Sequence, residues 1–463
     1  MNAGADARLD ETPRKAALVA ALASSFLSPF MVSLTNIGLP AIAADLRMDA
    51  VAMTLIVMAY VVPGAMFVLP CGKMADIWGR KKVFLWGMMF FSVSTLLCAV
   101  STSGPMLIAA RCLQGTGSAM IYGNGIAILM SVFSAAERGK VLGMALASVY
   151  CGLAVGPPVG GFLTQQWGWR SMFFTAGFAG VAITAWVFAR LKGEWAEATG
   201  ERFDFVGSVV YCAALGVALY GFRLLPAGMG FLSLALGIAG LATFLKWETR
   251  FDFPMLDWKL LRHNRVFALS NLAALINYGA TSAIGLLISL YLQYTKHLSP
   301  RTAGMILIAQ PVMQAMFSPY AGRLSDRIDP RKVAAVGMSC TVIGLLCFAF
   351  LADGTPLWLV ICTLALHGFG FALFSSPNTN AIMGSVDTRL YGVASGVSST
   401  MRLLGNSFSI GIAMLIFSLY VGQVQITPER YHAFLKSVRV IFVMFFFFSG
   451  FGVFASLAPA ERR

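Results

Sequence analysis

The sequence predicts an all-α membrane protein with 14 transmembrane helices, arranged as two six-helix bundles plus two inserted helices. Three observations predict it. Of 463 residues, 58% are hydrophobic and 12% charged, more apolar surface than a soluble chain of this length can hide. Apolar runs near ~20 residues recur, the length needed to cross a hydrocarbon core. A short basic loop pattern occurs twice, 250 residues apart, which marks two related halves.

Taken in order, the spans are 16–39, 50–70, 83–101, 105–131, 139–163, 170–190, 205–224, 228–247, 266–291, 300–321, 331–352, 356–380, 391–421 and 437–458. The first run, Ala16 to Leu39, is too long for a signal peptide, so it is expected as a retained span despite the cleavage-like Ala41-Ile42-Ala43. The repeat pairs spans 1–6 with 9–14 and leaves 7 and 8 unpartnered. The expected units are therefore an N-terminal bundle over 1–190, inserted helices 7 and 8 with their linkers over 191–265, and a C-terminal bundle over 266–463.

Of the 34 Lys and Arg residues, 24 fall on the side of the termini, 8 on the other side and 2 inside spans. That is the positive-inside distribution, so the net charge of +14 reflects topology rather than nucleic-acid binding. It places both termini in the cytoplasm and the chain in a bacterial-type inner membrane. The eight Cys stand singly and read as small buried apolar residues, neither disulfides nor metal ligands. No P-loop or HExxH occurs, and Gly115-x-Gly117 lies inside an apolar helix. Enzymatic activity, a nucleotide, a metal and any other cofactor are not expected.

The repeated loop reads Gly72-Lys-Met-Ala-Asp76-Ile-Trp-Gly79-Arg80-Lys81-Lys82 after span 2 and Gly322-Arg-Leu-Ser-Asp326-Arg327-Ile-Asp-Pro-Arg331-Lys332 after span 10. Its glycines suit a tight turn, and Asp76 suits pairing with Arg80 or a helix N-terminus. Gln114-Gly115-Thr-Gly117 in span 4 is echoed by His367-Gly368-Phe-Gly370 in span 12, an offset of 253 residues. In span 5, Gly152, Gly156 and Gly160 form one smooth stripe that allows close helix approach; Gly161 and the kink-prone Pro157 accompany it.

Arg111, His367 and Arg402 are the basic side chains inside the spans, and no carboxylate joins them. Charged groups at bilayer depth usually mark a functional pathway. His367 and Arg402 each lie 11 residues into their spans, ~16 Å deep; Arg111 lies about 9 Å in, within snorkelling reach. Tyr60, Gln114, Asn277, Tyr278, Gln310 and Gln314 lie at similar depth. They suit either helix joining or the polar anchors of an apolar cavity.

The loop Gly72–Lys82 resembles the GxxxDxxGRK signature of the major facilitator superfamily. Arg111-x-x-Gln114-Gly115 resembles its fourth-helix motif, and the Gly152–Gly161 segment the motif of its exporters. Asn36-Ile-Gly-Leu-Pro40, Trp169-Arg170, Pro254-Met-Leu-Asp257, Tyr291-Leu-Gln293, Leu298-Ser-Pro300 and Arg402-Leu-Leu-Gly405 are similar to the fourteen-helix drug:proton antiporter subfamily, from span 1 to span 13. The resemblance implies multidrug-type efflux by alternating access, coupled to protons. It implies a gating role for Gly72, Asp76, Gly79, Arg80, Lys81, Asp326 and Arg327, with Asp76 near the start of span 13 at Leu390 to Gly392. One departure is Met31, where drug exporters often carry an Asp five residues before the Asn. With a cationic interior, a neutral or anionic lipophilic small molecule is the expected substrate. His367 is then the core side chain suited to a proton, and Arg402 is expected beside it. Import of an organic anion or metabolite, and a non-transporting receptor, are the rival readings. The bilayer is the expected surrounding, and nothing in the chain calls for a periplasmic adaptor protein.

Overall fold

The computed structural model describes residues 11–251, 253–255, 262, 264–386 and 391–457. Its first half comprises α1 (Glu11–Asp45), α2 (Ala50–Trp78), α3 (Arg80–Ala99), α4 (Gly104–Tyr122), α5 (Asn124–Val132), α6 (Ala135–Trp167) and α7 (Arg170–Arg190). Two helices follow, α8 (Phe205–Leu224) and α9 (Gly228–Glu248). The second half holds α10 (Arg265–Thr281), α11 (Ile284–Leu290) with a π-turn (Tyr291–Thr295), α12 (Pro300–Leu307), α13 (Ala309–Ser325), α14 (Pro330–Ala349), α15 (Leu357–Gly384), α16 (Tyr391–Tyr420) and α17 (Tyr431–Leu457). Among the described residues there is no strand, and 12 helices are long and apolar enough to cross a membrane. The face where α1 starts and α17 ends is called the terminal face below; the opposite one is the far face.

Three predicted spans are broken rather than continuous, each for a local reason. Span 4 divides into α4 and α5 at Gly123, where Asn124 Nδ2 donates to Met120 O at 2.6 Å. Span 9 divides at Ser282–Ala283, where the Ala283 N–H donates to Ser409 Oγ at 3.0 Å instead of its own helix. Span 10 breaks at Ile308, three residues before Pro311, whose missing N–H leaves a carbonyl in the preceding turn unpaired. Such breaks survive in lipid only where other groups satisfy the freed backbone.

Glycines set the helix spacing. A Cβ at Gly115 would overlap the Tyr60 carbonyl of α2, and one at Gly117 would lie 2.6 Å from Phe91 N of α3. In the other half a Cβ at Gly368 would overlap the Gln310 carbonyl of α13, and one at Gly370 would lie 2.7 Å from Gly337 O of α14. The two copies of Gly-x-Gly thus clamp equivalent pairs of helices, and the halves share packing as well as sequence.

The halves meet closely near the far face. Ser289 Oγ donates to Asn36 O at 2.9 Å, Gln293 Nε2 to Ile37 O at 3.0 Å, and Ala50 N to Val424 O at 3.1 Å. Gly161 lies against the Pro300 backbone and Gly304 against that of Pro157. Helix α8 pairs with α9 and also touches both halves. Tyr211 donates to Ala65 O of α2 at 3.1 Å, and Phe222 packs edge-on against Phe408 of α16 with centroids 5.6 Å apart. The cysteines depart from expectation. Cys71 and Cys98 are buried, but Cys151, Cys347 and Cys362 are exposed on outer helix faces, where apolar lipid rather than a protein core accommodates a thiol.

Gly115→Leu should therefore lower the stability of the detergent-purified protein by at least ~1–3 kcal/mol, the cost of overpacking. Gly143→Leu, where nothing lies within 4 Å of the new Cβ, should be tolerated. Equal melting temperatures for the two variants would refute the clamp.

Candidate functional site

A cavity of about 240 Å³ lies between the halves. The first half supplies Ser33 and Asn36 from α1 and Leu153 and Pro157 from α6. The second supplies Tyr278, Ser282, Gln310, Gln314, Phe371 and Asn406, among others. The lining carries no charged side chain, and α8 and α9 do not contribute to it. Its surface is mostly apolar, with amides and hydroxyls spaced around it. Asn36 Oδ1 and Gln314 Oε1 are buried without a hydrogen-bond partner among the described residues. Two buried acceptors left open, one from each half, suit a ligand that offers donors to both, because an unmatched buried polar group is costly.

Arg402 stands just behind this lining, one turn before Asn406. Its Nη2 donates to Thr379 Oγ1 at 2.8 Å, and its guanidinium lies 5.7 Å from the Tyr278 ring centroid. Tyr122, from α4 of the other half, stands close to it. Its Nε has no partner among the described residues, and no described salt bridge involves it. Arg402 therefore sits at the seam between the halves with its charge uncompensated.

Arg111 is placed differently. It is 1% exposed, does not snorkel, and belongs to a network inside the first half. Its Nε donates to Ile56 O at 3.2 Å and its Nη1 to Gln114 Oε1 at 2.5 Å. Gln114 Nε2 in turn donates to Thr95 Oγ1 at 2.6 Å. Tyr60 lies 4.5 Å beneath the guanidinium and donates to Ser118 Oγ at 2.8 Å. Arg111, Gln114 and Tyr60 thus form one group, apart from the cavity lining.

His367 occupies the repeat position of Gln114, but its surroundings are apolar. It is fully buried against α14, its ring centroid is 6.3 Å from that of Phe371, and neither nitrogen has a partner among the described residues. The reason is legible in the repeat. The glycine contacts align Gly87 with Gly337 and Phe91 with Thr341, so Leu345 stands where Thr95 serves Gln114. Arg402 is not beside His367, contrary to expectation. It binds Thr379, twelve residues or ~18 Å further along α15. Asn277 is also fully buried, with both amide atoms unpartnered.

The stripe Gly152, Gly156 and Gly160 faces α1, where added Cβ atoms would overlap Phe26 O, Ser33 and Ile37 in turn. Pro157 lines the cavity, and Gly161 faces α12. In the loop motif, Asp76 Oδ1 accepts from Arg80 Nε at 3.0 Å and Nη2 at 2.8 Å. Gly79 has φ +115°, which favours glycine, and its missing side chain leaves room for Glu194. Gly72 has open space around it. In the second loop Asp326 and Arg327 are exposed. There Asp329 takes the local pairing instead: the Arg331 guanidinium, 2.8 Å away, holds its carboxyl below the usual range. The expected meeting of Asp76 with Leu390 falls outside the described residues; Tyr391 and Gly392 open α16.

Sequence reasoning missed Asn406, Phe371 and Tyr122 as neighbours of the site, and the acidic linker 191–204. The last had a signal: Glu194, Glu197 and Glu201 recur on a short segment sharing a face with a basic loop.

The model of the Major Facilitator Superfamily matches residues 21–410 and 270–463, and the chain belongs to that family. It is a multi-pass membrane transporter. It is 29% identical over 401 residues to the riboflavin transporter RibZ of Clostridioides difficile (strain 630), covering 86% of each chain. It is also 29% identical to the multidrug resistance protein Stp of Mycobacterium tuberculosis, over 85% of this chain and 74% of that one. A probable actinorhodin transporter of Streptomyces coelicolor is 28% identical over 87% of this chain and 72% of its own. The fold matches the solved structure of a peptide transporter bound to sulfate with TM-score 0.67 at 14% identity, covering 93% of both chains. The human organic anion transporter MFSD10 matches with TM-score 0.60 at 16% identity, over 96% of this chain and 99% of that one.

Thr95→Val should destabilise the protein by about 1–3 kcal/mol, because it leaves the buried Gln114 amide unpaired. Thr341→Val removes a hydroxyl with no partner and should be neutral or stabilising. Thermal unfolding in one detergent checks both; a larger loss for Thr341→Val would contradict the network.

Proposed function

We propose that this transporter is a bacterial inner-membrane exporter, driven by protons, whose substrates are lipophilic neutral or anionic compounds. The observation that carries the reading is the uncharged, amide-studded cavity with the guanidinium of Arg402 behind its lining residue Tyr278, outside any described salt bridge. An apolar body fits the lining, donors meet Asn36 and Gln314, and an acidic group meets Arg402. A cationic substrate would be repelled at close range in low dielectric. The relatives named for multidrug resistance and actinorhodin transport support export of lipophilic compounds. A second reading, handling of one organic metabolite, draws on the relative named for riboflavin.

The fourteen-span arrangement is part of this proposal, with 1–190 and 266–463 as alternating bundles and 191–265 as the insert. Both termini lie in the cytoplasm, so the far face is outward. The far-face contacts describe a chain closed to the outside. Opening outward would bring Asp76 to the positive end of α16 and Asp326 to the start of α6. Protons would be carried by His367, which sits one turn behind the cavity residue Phe371.

Everted vesicles energised by respiration should accumulate an anionic lipophilic dye. Arg402→Gln should weaken its binding about 10–100-fold, the worth of one charge-assisted hydrogen bond, while a neutral analogue is little affected. Accumulation only in right-side-out vesicles would replace export with uptake. Equal loss for both dyes would remove the anion-reading role. His367→Gln should abolish pH-gradient-driven accumulation yet spare downhill flux; undiminished accumulation would send the proton by another route.

A further inference from the structure

The linker 191–204 between α7 and α8 folds back onto the loop Gly72–Lys82. Backbone bonds dock it: Arg80 N donates to Trp195 O at 2.8 Å, and Ala198 N to Asp76 O at 3.0 Å. Side chains complete the contact. Glu194 Oε1 accepts from Lys81 N at 2.8 Å, and Glu201 accepts from Lys73 Nζ at 2.5 Å. Glu197 grips Arg80 with both oxygens, at 2.7 Å to Nη1 and 2.8 Å to Nη2.

Arg80 therefore has two carboxylates, Asp76 from its own loop and Glu197 from the linker. It also donates to Ser131 Oγ at 2.7 Å, and its side chain is only 9% exposed. One guanidinium needs one counter-charge, so the second carboxylate is surplus in this conformation. The surplus matters when the loop moves. A nearly buried guanidinium stripped of its carboxylate is costly, so Asp76 alone could not readily leave Arg80. With Glu197 in place it can. Asp76 is 40% exposed at its side chain, and its Oδ2 has no described bond to Arg80.

We propose that Glu197 is a positioning residue of the gate: it supplies Arg80 with a standing counter-charge, which frees Asp76 to engage the other half. The inference rests on the gating reading of Asp76 above. Of the other charges near the site, Lys73 is paired with Glu201, Glu194 accepts from the Lys81 backbone N–H, and Lys82 is exposed to solvent.

Two measurements on the full-length protein test it. The first is a double-mutant cycle on thermal unfolding. If Asp76 and Glu197 substitute for one another, Asp76→Asn and Glu197→Gln each cost little, and the double variant loses far more than their sum. Additive losses overturn the proposal. The second is the distance between spin labels at Gln166→Cys and Gly354→Cys, one on the far side of each half, with Cys151, Cys347 and Cys362 changed to Ser. Both Asp76→Asn and Glu197→Gln should lower the ratio of far-open to far-closed molecules, by roughly tenfold for a change worth one such interaction. Glu197→Asp, which keeps the carboxylate, should restore most of it. If Asp76→Asn shifts the ratio and Glu197→Gln does not, Glu197 has no gating part. If Asp76→Asn itself leaves the ratio unchanged, the gating reading fails and this inference with it. Neither result depends on knowing the substrate or the direction of transport.

Discussion

Close backbone approach at glycine is the constraint on which the rest of this structure depends. In lipid, apolar side chains gain little by leaving the solvent for one another, so helices adhere through packing contacts and hydrogen bonds. Gly115 and Gly117 bring α4 against α2 and α3; Gly368 and Gly370 bring α15 against α13 and α14. Helix α6 uses two glycine faces at once. Gly152, Gly156 and Gly160 fix it to α1 in its own half, while Gly161 meets α12 of the other half. The first face makes a rigid body and the second a contact between bodies. The first runs along three turns of α6, and the second extends from α12 onto α13.

The architecture was legible to the degree that it is written in periodicity and repetition. Composition, charge asymmetry and the doubled loop led to the span order and to the pairing of Gln114 with His367. Helix breaks were not legible, because they are decided by neighbours distant in sequence. Ala283 leaves its helix because Ser409 offers an acceptor, and nothing near residue 283 announces that. The site was half legible. Depth along a span brought forward Tyr278, Gln310 and Gln314, which line the cavity, together with Tyr60, Gln114 and Asn277, which do not, because depth says nothing about azimuth. Arg111 and His367 have the depth of a pathway residue and point into packed helix interfaces. Arg402 and His367, each placed 11 residues into its span by counting, stand far apart because Arg402 meets α15 at Thr379, ~18 Å along the helix from His367. The acidic linker escaped notice because loops were weighed only for their net charge.

The two interior arginines illustrate how one residue type divides into two roles. Arg111 has a carbonyl, an amide and an aromatic face around it, all from the first half. Its charge is absorbed by groups that move with it, so it contributes to that half's rigidity in every conformation. Arg402 gathers Thr379 and Tyr278 from its own half and Tyr122 from the other. Separation of the halves removes one of those contacts and leaves the charge more in need of an anion. Its electrostatic demand therefore varies with conformation, which is the property a substrate-reading group requires.

The same reasoning applies to charge at the terminal face, where the demand is met from inside the chain. Arg80 is too enclosed to stand without a carboxylate, and under the gating proposed above its loop cannot depend on a single permanent pair. A second carboxylate on a docked linker lowers the cost of exchanging the first. The linker can serve in this way because backbone bonds to Trp195 and Ala198 hold it to the loop independently of the ion pair. In the proposed gate, Glu197 stays with Arg80 when Asp76 departs. A segment that only joined α7 to α8 would be an idle tether. Here it completes the electrostatics of the loop that each repeat carries, and it does so only for the first half. In the second loop Arg331 is satisfied by Asp329, two residues away, and Asp326 stands exposed without a described partner. The two copies of the motif, alike in sequence, therefore face movement under different electrostatic conditions.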